Sequence, residues 1–251
     1  MGLSHGIEDG IAEVVMSYPP VNALDVRGWF DLAALLRRLG GDPAVRVVIL
    51  AAEGRGFNAG VDIKEIQRGG HEALLGANRG CFAAFAAVYE CAVPVIAAVH
   101  GYCLGGGIGL VGNADIIVAS TDATFGLPEV DRGALGAATH LARLVPQHRM
   151  RAMVYTGERA TADELHRHGS VHRVVAREGL RAAAREVAAV IAKKSPAVIR
   201  AAKESLNGID PVDVKRSYRF EQGFTFELNL EGVSDEARRA FLEKREAEHP
   251  G

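Results

Sequence analysis

Cysteine is scarce: the 251 residues contain three, Cys81, Cys91 and Cys103. That is too few for a disulfide framework, and no CxxC spacing supplies paired metal ligands. Long apolar runs are missing as well. The most apolar stretch, residues 93–99, stops at His100 and is roughly a third of what a bilayer crossing needs. Neither charge is in excess, with 29 Lys and Arg against 31 Asp and Glu. A nucleic-acid partner usually requires a strong basic excess or stripe, so none is expected, and the anionic part of any ligand must be met locally. The start of the chain has no basic segment followed by an apolar one, and Gly6 stands where N-myristoylation needs Ser or Thr. These absences describe a cytoplasmic protein with reduced thiols, no metal and no membrane partner.

What is present is ordinary globular composition, 48% apolar and 24% charged. Asp9-Gly10 is a hairpin signal, with a strand following over residues 11–17. Asp25 can cap a helix through residue 39, with Trp29, Leu32, Leu36 and Leu39 on one face and Gly40-Gly41 as its stop. Residues 45–52 (VRVVILAA) and 93–99 read as strands buried on both faces, separated by a helix over residues 71–90. A third strand is expected near residues 115–119. Beyond Gly133 the pattern turns mostly helical, interrupted by an apolar piece at residues 171–175. Strands alternating with helices call for parallel βαβ units. The fold class is therefore α/β with a helical C-terminal part.

Two segments put small residues just after a buried strand, at the sheet edge where α/β proteins bind ligands. They are Arg55-Gly56-Phe57-Asn58-Ala59-Gly60-Val61-Asp62-Ile63-Lys64 and His100-Gly101-Tyr102-Cys103-Leu104-Gly105-Gly106-Gly107-Ile108-Gly109. Glycine at 105–107 lets a ligand come close to the main chain, and a helix starting there presents free N–H groups to an oxygen that becomes negative. A tight turn with close packing would use the same glycines. Gly107, Gly109 and Gly112 formally match GxGxxG, but residues 101–104 separate them from their strand and no acid closes the next strand at the right distance. A dinucleotide site is not expected.

Phe57-Asn58-Ala59-Gly60-Val61-Asp62-Ile63-Lys64-Glu65, then Pro94-Val95-Ile96-Ala97-Ala98-Val99-His100-Gly101, then Phe125-Gly126-Leu127-Pro128-Glu129 resemble, in order, the signature of the crotonase (enoyl-CoA hydratase/isomerase) superfamily. The likeness continues through Tyr155-Thr156-Gly157-Glu158, Ser195-Pro196-Ala197 and Ala240-Phe241-Leu242-Glu243-Lys244-Arg245. It implies a spiral of ββα units over residues 1–195 holding an acyl-CoA site, and a helical oligomerisation region over 196–251 that assembles a trimer or a dimer of trimers. It implies no cofactor beyond the coenzyme A of the substrate. Carried over position by position, the oxyanion amides are those of Val61 and Gly106. Ala59, Asp62, Ile63, Lys64 and Gly105 lie along the CoA ester, and Phe241 and Lys244 reach CoA from the last helix. The lysine that many members place ahead of Asn22-Ala23-Leu24 is absent, with Pro19-Pro20 in its stead.

Hydratases of this family use two glutamates. The second maps onto Glu129, whereas the first position holds Gly109, and the aspartate position of isomerase relatives holds Ala137. The remaining acid–base candidates are Glu129, Asp131 and His140, of which His140 on an apolar helix face also reads as a core residue. Tyr18-Pro19-Pro20-Val21-Asn22-Ala23, Asn78-Arg79-Gly80-Cys81-Phe82 and Glu221-Gln222-Gly223-Phe224-Thr225-Phe226-Glu227 narrow the resemblance. They look like the actinobacterial branch that opens a steroid ring in cholesterol catabolism by hydrolysing a carbon–carbon bond of a bicyclic indane-dione carboxyl-CoA. The alternatives are an enoyl-CoA hydratase with relocated acids and a non-catalytic CoA-binding member.

Overall fold

The computed structural model describes residues 2–248. Two sheets form its frame. The larger has six strands in the order β1-β2-β3-β4-β6-β9, namely β1 (Gly2–Glu8), β2 (Ile11–Ser17), β3 (Val47–Ala52), β4 (Val95–Val99), β6 (Ile116–Ser120) and β9 (Arg173–Val175). The β1–β2 hairpin turns at Asp9-Gly10 and is antiparallel; every later pair is parallel. The smaller sheet joins three strands of three residues each, β5 (Tyr102–Leu104), β7 (Thr124–Gly126) and β8 (Arg159–Thr161).

The period-two geometry of β3 and β4 sorts their side chains into two cores. Val48, Leu50, Val95, Ala97 and Val99 pack with helices α1 (Val26–Gly41) and α2 (Ile63–Tyr89), while Val47, Ile49, Ala51, Ile96 and Ala98 pack against α7 (Leu180–Ala192). Covered on both faces, these strands are apolar throughout. Helix α1 starts where Asp25 accepts from the Gly28 N–H at 2.7 Å, and it buries Trp29, Leu32, Leu36 and Leu39 as its spacing requires.

Helix α2 begins at Ile63, earlier than the expected residue 71. Asp62 caps it by accepting from the Lys64 N–H at 2.9 Å, and Gly70 bends it with a φ of 54°. The Gly69-Gly70 pair disguises one helical path as a loop followed by a helix. The remaining helices are α3 (Gly106–Val111), α4 (Ala138–Leu141), α5 (Gln147–Thr156), α6 (Ala162–His168), α8 (Pro196–Gly208), α9 (Val214–Leu230) and α10 (Val233–Glu243). No described helix is long and apolar enough to cross a membrane. Helix α9 turns Tyr218, Gln222, Thr225 and Asn229 inward, at helical spacing. It leaves Phe220, Phe224 and Leu230 exposed.

Loop 53–60 is held by two buried asparagines. Asn22 donates to the carbonyls of Glu53 (2.7 Å) and Gly56 (2.8 Å). Asn58, fully buried, donates to the Asn22 carbonyl at 2.6 Å and accepts from the Gly60 N–H at 2.8 Å, while its own carbonyl takes the Leu104 N–H at 2.9 Å. Asn58→Ala would leave the Gly60 amide without a partner and the Asn22 carbonyl with only the Ala59 N–H at 3.4 Å. It should lower stability by about 1–3 kcal/mol, the cost of one stranded buried group, measurable by urea denaturation. An unchanged midpoint would mean that the loop is held by other contacts.

Candidate active site

The asparagine staple lays the residue 59–61 segment against the start of α3. A Cβ added at Gly60 would stand 3.1 Å from the Gly106 nitrogen, so the two main chains nearly touch. Gly106 is the first residue of α3, where an amide has no intrahelical acceptor. At Val61 the parallel bridge to Leu24 uses the Gly60 carbonyl and the Asp62 N–H, leaving the Val61 N–H out of the ladder. Neither N–H meets an acceptor among the described residues, and both residues line one cleft. Trp29 backs the pair: a Cβ on Gly106 would lie 2.8 Å from its ring.

The cleft encloses about 870 Å³, counting solvent at its mouth. One wall is the α2 stripe Leu74, Ala77, Asn78, Cys81 and Phe85, and the opposite wall is the loop from Glu129 to Ala137. Thr225 and Asn229 of α9 and Arg238 of α10 close one side, so the C-terminal helices cover the site of their own chain. Helical spacing (i, i+3, i+4, i+7, i+11 along residues 74–85, and i, i+7, i+11 along residues 218–229) was the signal in the sequence for these lining residues.

Glu129 is the carboxylate at the amide pair. Its Oε1 would lie 2.6 Å from a Cβ built on Gly105, and its Oε2 is sealed from solvent without a hydrogen-bond partner, although its stem faces the open cleft. Burial pushes its pKa up to about 7, against the opposing pull of the Arg132 guanidinium. The other two acid–base candidates lie elsewhere. Asp131 is exposed and turns its carboxylate toward Gly157. His140 is buried outside the cleft lining, with its ring against Phe85 (centroids 5.1 Å apart) and Tyr218 (5.0 Å). Burial, with Arg143 nearby, lowers its pKa to about 3, so it stays neutral near neutral pH. Glu221 accepts from the Ala138 and Thr139 amides at 2.8 and 2.7 Å and holds the start of α4.

Of the positions expected to meet the CoA ester, Ala59, Ile63 and Gly105 line the cleft. Asp62 uses its side chain as the α2 cap, and Lys64 is exposed beside it. Phe241 and Lys244 are exposed on α10 and at its end, with the Arg132 guanidinium 4.3 Å from the centre of the Phe241 ring.

The profile of the enoyl-CoA hydratase/isomerase family matches residues 6–251. The chain belongs to that family. It is similar to the (7aS)-7a-methyl-1,5-dioxo-2,3,5,6,7,7a-hexahydro-1H-indene-carboxyl-CoA hydrolase of Rhodococcus jostii, at 67% identity over 94% of this chain and 92% of the relative. The protein of the same name from Mycobacterium tuberculosis is 65% identical, over 94% of this chain and 96% of its own. A crystal structure of an enoyl-CoA hydratase/isomerase from Pseudoalteromonas atlantica superposes with a TM-score of 0.89 at 25% identity, covering 100% of both chains. The chain therefore has the crotonase fold.

The space beside Gly109, which the resemblance matches to the first hydratase glutamate, is physically filled. A Cβ at Gly109 would overlap the Phe85 ring, which packs edge-on to Trp29 with centroids 5.7 Å apart. Gly109→Glu should therefore lower the melting temperature through overpacking, at about 1–3 kcal/mol before the burial of charge is added. It should also confer no crotonyl-CoA hydration. Rapid hydration by either parent or variant would show that a second acid is available after all.

Proposed function

We propose that this chain hydrolyses a ring carbon–carbon bond of a bicyclic indane-dione carboxyl-CoA in steroid degradation, within the cytoplasm, using no cofactor beyond the coenzyme A of its substrate. The observation that carries the reading is a single neutral-range carboxylate, Glu129, placed beside two free amides. The two relatives at about two-thirds identity carry that substrate in their names. Hydration of a double bond across two acids has no second carboxylate here, since Gly109 and Ala137 occupy the alternative positions and Asp131 faces away.

In this mechanism Glu129 takes a proton from water as the water oxygen adds to a ring ketone. The tetrahedral adduct collapses, and the C–C bond breaks. Its electron pair passes by conjugation to the thioester oxygen, forming an enolate held by the Val61 and Gly106 N–H groups. Glu129 then returns the proton to carbon, so one acid serves both steps. A pKa near 7 lets it accept and release a proton near neutral pH. Ala59, Ile63 and Gly105 line the path of the thioester, with Asp62, Lys64, Phe241 and Lys244 assigned to the CoA moiety outside.

Glu129→Gln keeps the shape but accepts no proton. Ring opening of the indane-dione CoA ester should fall by about a hundredfold to ten-thousandfold, with binding of the CoA ester retained by calorimetry. For the parent, kcat/KM should rise with pH to a plateau above pH 7 and fall about tenfold per unit below it, because only the ionised base works. The sign for stability is the reverse. The folded carboxyl holds its proton more tightly than the unfolded one, so its contribution to stability is full below pH 4.5 and is lost as the pH rises from there to about 7. Undiminished turnover by Glu129→Gln would remove the base assignment, and no ring opening by the parent would remove the function.

The helical region over residues 196–251 is assigned to subunit assembly, as a trimer or a dimer of trimers. The exposed Phe220, Phe224 and Leu230 support this, since α9 turns apolar side chains outward as well as inward. Light scattering at micromolar concentration should give a trimer or hexamer mass, and a stable monomer would contradict it.

A further inference from the structure

The ring-opening reaction makes negative charge at two different atoms. The enolate charge falls on the thioester oxygen, which the Val61 and Gly106 amides serve. Before that, addition of hydroxide to the ketone puts charge on the former ketone oxygen, at the other end of the bond that breaks. Two amides already engaged with the thioester cannot also hold it, so a second donor belongs on the Glu129 side of the cleft. Glu129 carries the water proton at that stage, and that proton is kept for carbon.

Arg132 fits that place. It lies three residues on from Glu129 in the same cleft wall. Its Nε is buried and has no acceptor among the described residues. The guanidinium is nevertheless held in position, 4.3 Å from the Phe241 ring centre and with one terminal nitrogen 3.4 Å from the Pro128 carbonyl. It forms no ion pair within 4.0 Å among the described residues, unlike the other arginine of the cleft: Arg238 also has a free Nε, but it is bound to Asp235 and donates to Asn229 at 2.5 Å. A fixed, unneutralised donor at a desolvated site is what a transient oxyanion requires.

We infer that Arg132 is a second oxyanion donor, binding the oxygen of the attacked ring ketone while Val61 and Gly106 bind the thioester oxygen. This assignment rests on the ring-opening reading above. As water adds, its oxygen bonds to the ketone carbon, its proton goes to Glu129, and the carbonyl π pair moves to the oxygen facing Arg132. On collapse that pair re-forms the C=O bond and the C–C pair leaves toward the thioester. The ketone carbon becomes a carboxylic acid, whose proton is lost to solvent, and Arg132 ends facing the new carboxylate.

The test compares Arg132→Met and Arg132→Lys with the parent on the indane-dione CoA ester. Lysine keeps the charge and stem but not the planar N–H fork, so it serves also if the methionine variant does not fold, as judged by circular dichroism. Expected is a kcat lower by about a hundredfold or more with KM within a few-fold, as for loss of one oxyanion donor. The deficit should persist at pH 9, where Glu129 is ionised whatever Arg132 does to it. Added guanidinium ion at tens of millimolar should restore part of the activity of Arg132→Ala and none of that of Glu129→Gln. Variants within threefold of a working parent overturn the assignment, and so does full recovery at pH 9, which would make Arg132 only a tuner of Glu129. A parent that leaves the ring closed overturns the ring-opening reading, and this one with it.

Discussion

The site depends on two buried amide side chains. Their side chains tie the Asn22 turn to loop 53–60, more than thirty residues on, and the Asn58 main chain pairs with Tyr102 and Leu104 on the strand leading to α3. The Asn58 side-chain bonds are short and shielded from water, where an unmet partner is costly. Val61 and Gly106, whose amides meet no acceptor among the described residues, then line one cleft together. Backbone donors fixed in this way need little reorganisation as charge develops on a bound oxygen.

Around that pair the chain places one carboxylate whose charge is unfavourable in its setting. Burial lifts Glu129 to about 7, and Arg132 keeps the shift from going further. The neighbouring polar groups do not compete for its role. Asp131 is turned to solvent, Glu221 is engaged at the start of α4, and His140 is neutral behind two aromatic rings. A cleft with one proton carrier suits a reaction in which a proton is taken and given back.

Much of this was legible in the sequence. The all-apolar strands, the Asp25 cap and the glycine run at 105–107 follow from local rules, and the motif order identified the family. Strands β5, β7 and β8 were not legible, because three residues are too few to show a period and their pairing is long-range. The start of α2 was hidden by Gly69-Gly70. Proximity in sequence also misled: Asp131 and His140 lie close to Glu129 along the chain, yet the tight turn at residues 130–133 and the left-handed Ala137 send their side chains elsewhere. Arg132 carries no signal in the sequence, where a lone arginine in a loop reads as a solvated charge; its buried Nε and the lack of an ion pair among the described residues emerge only from the fold.

Phe85 occupies the space beside Gly109 and is itself wedged among Trp29, His140 and Tyr218. A glutamate at 109 would need a smaller residue at 85 in the same step, since either change alone breaks packing: the first overfills the cluster and the second hollows it. The two positions are thus coupled in stability, and each single substitution costs more than the packing of the pair requires. The aromatic ring guards residue 109 by an obstacle in the core, whatever the chemistry of the cleft.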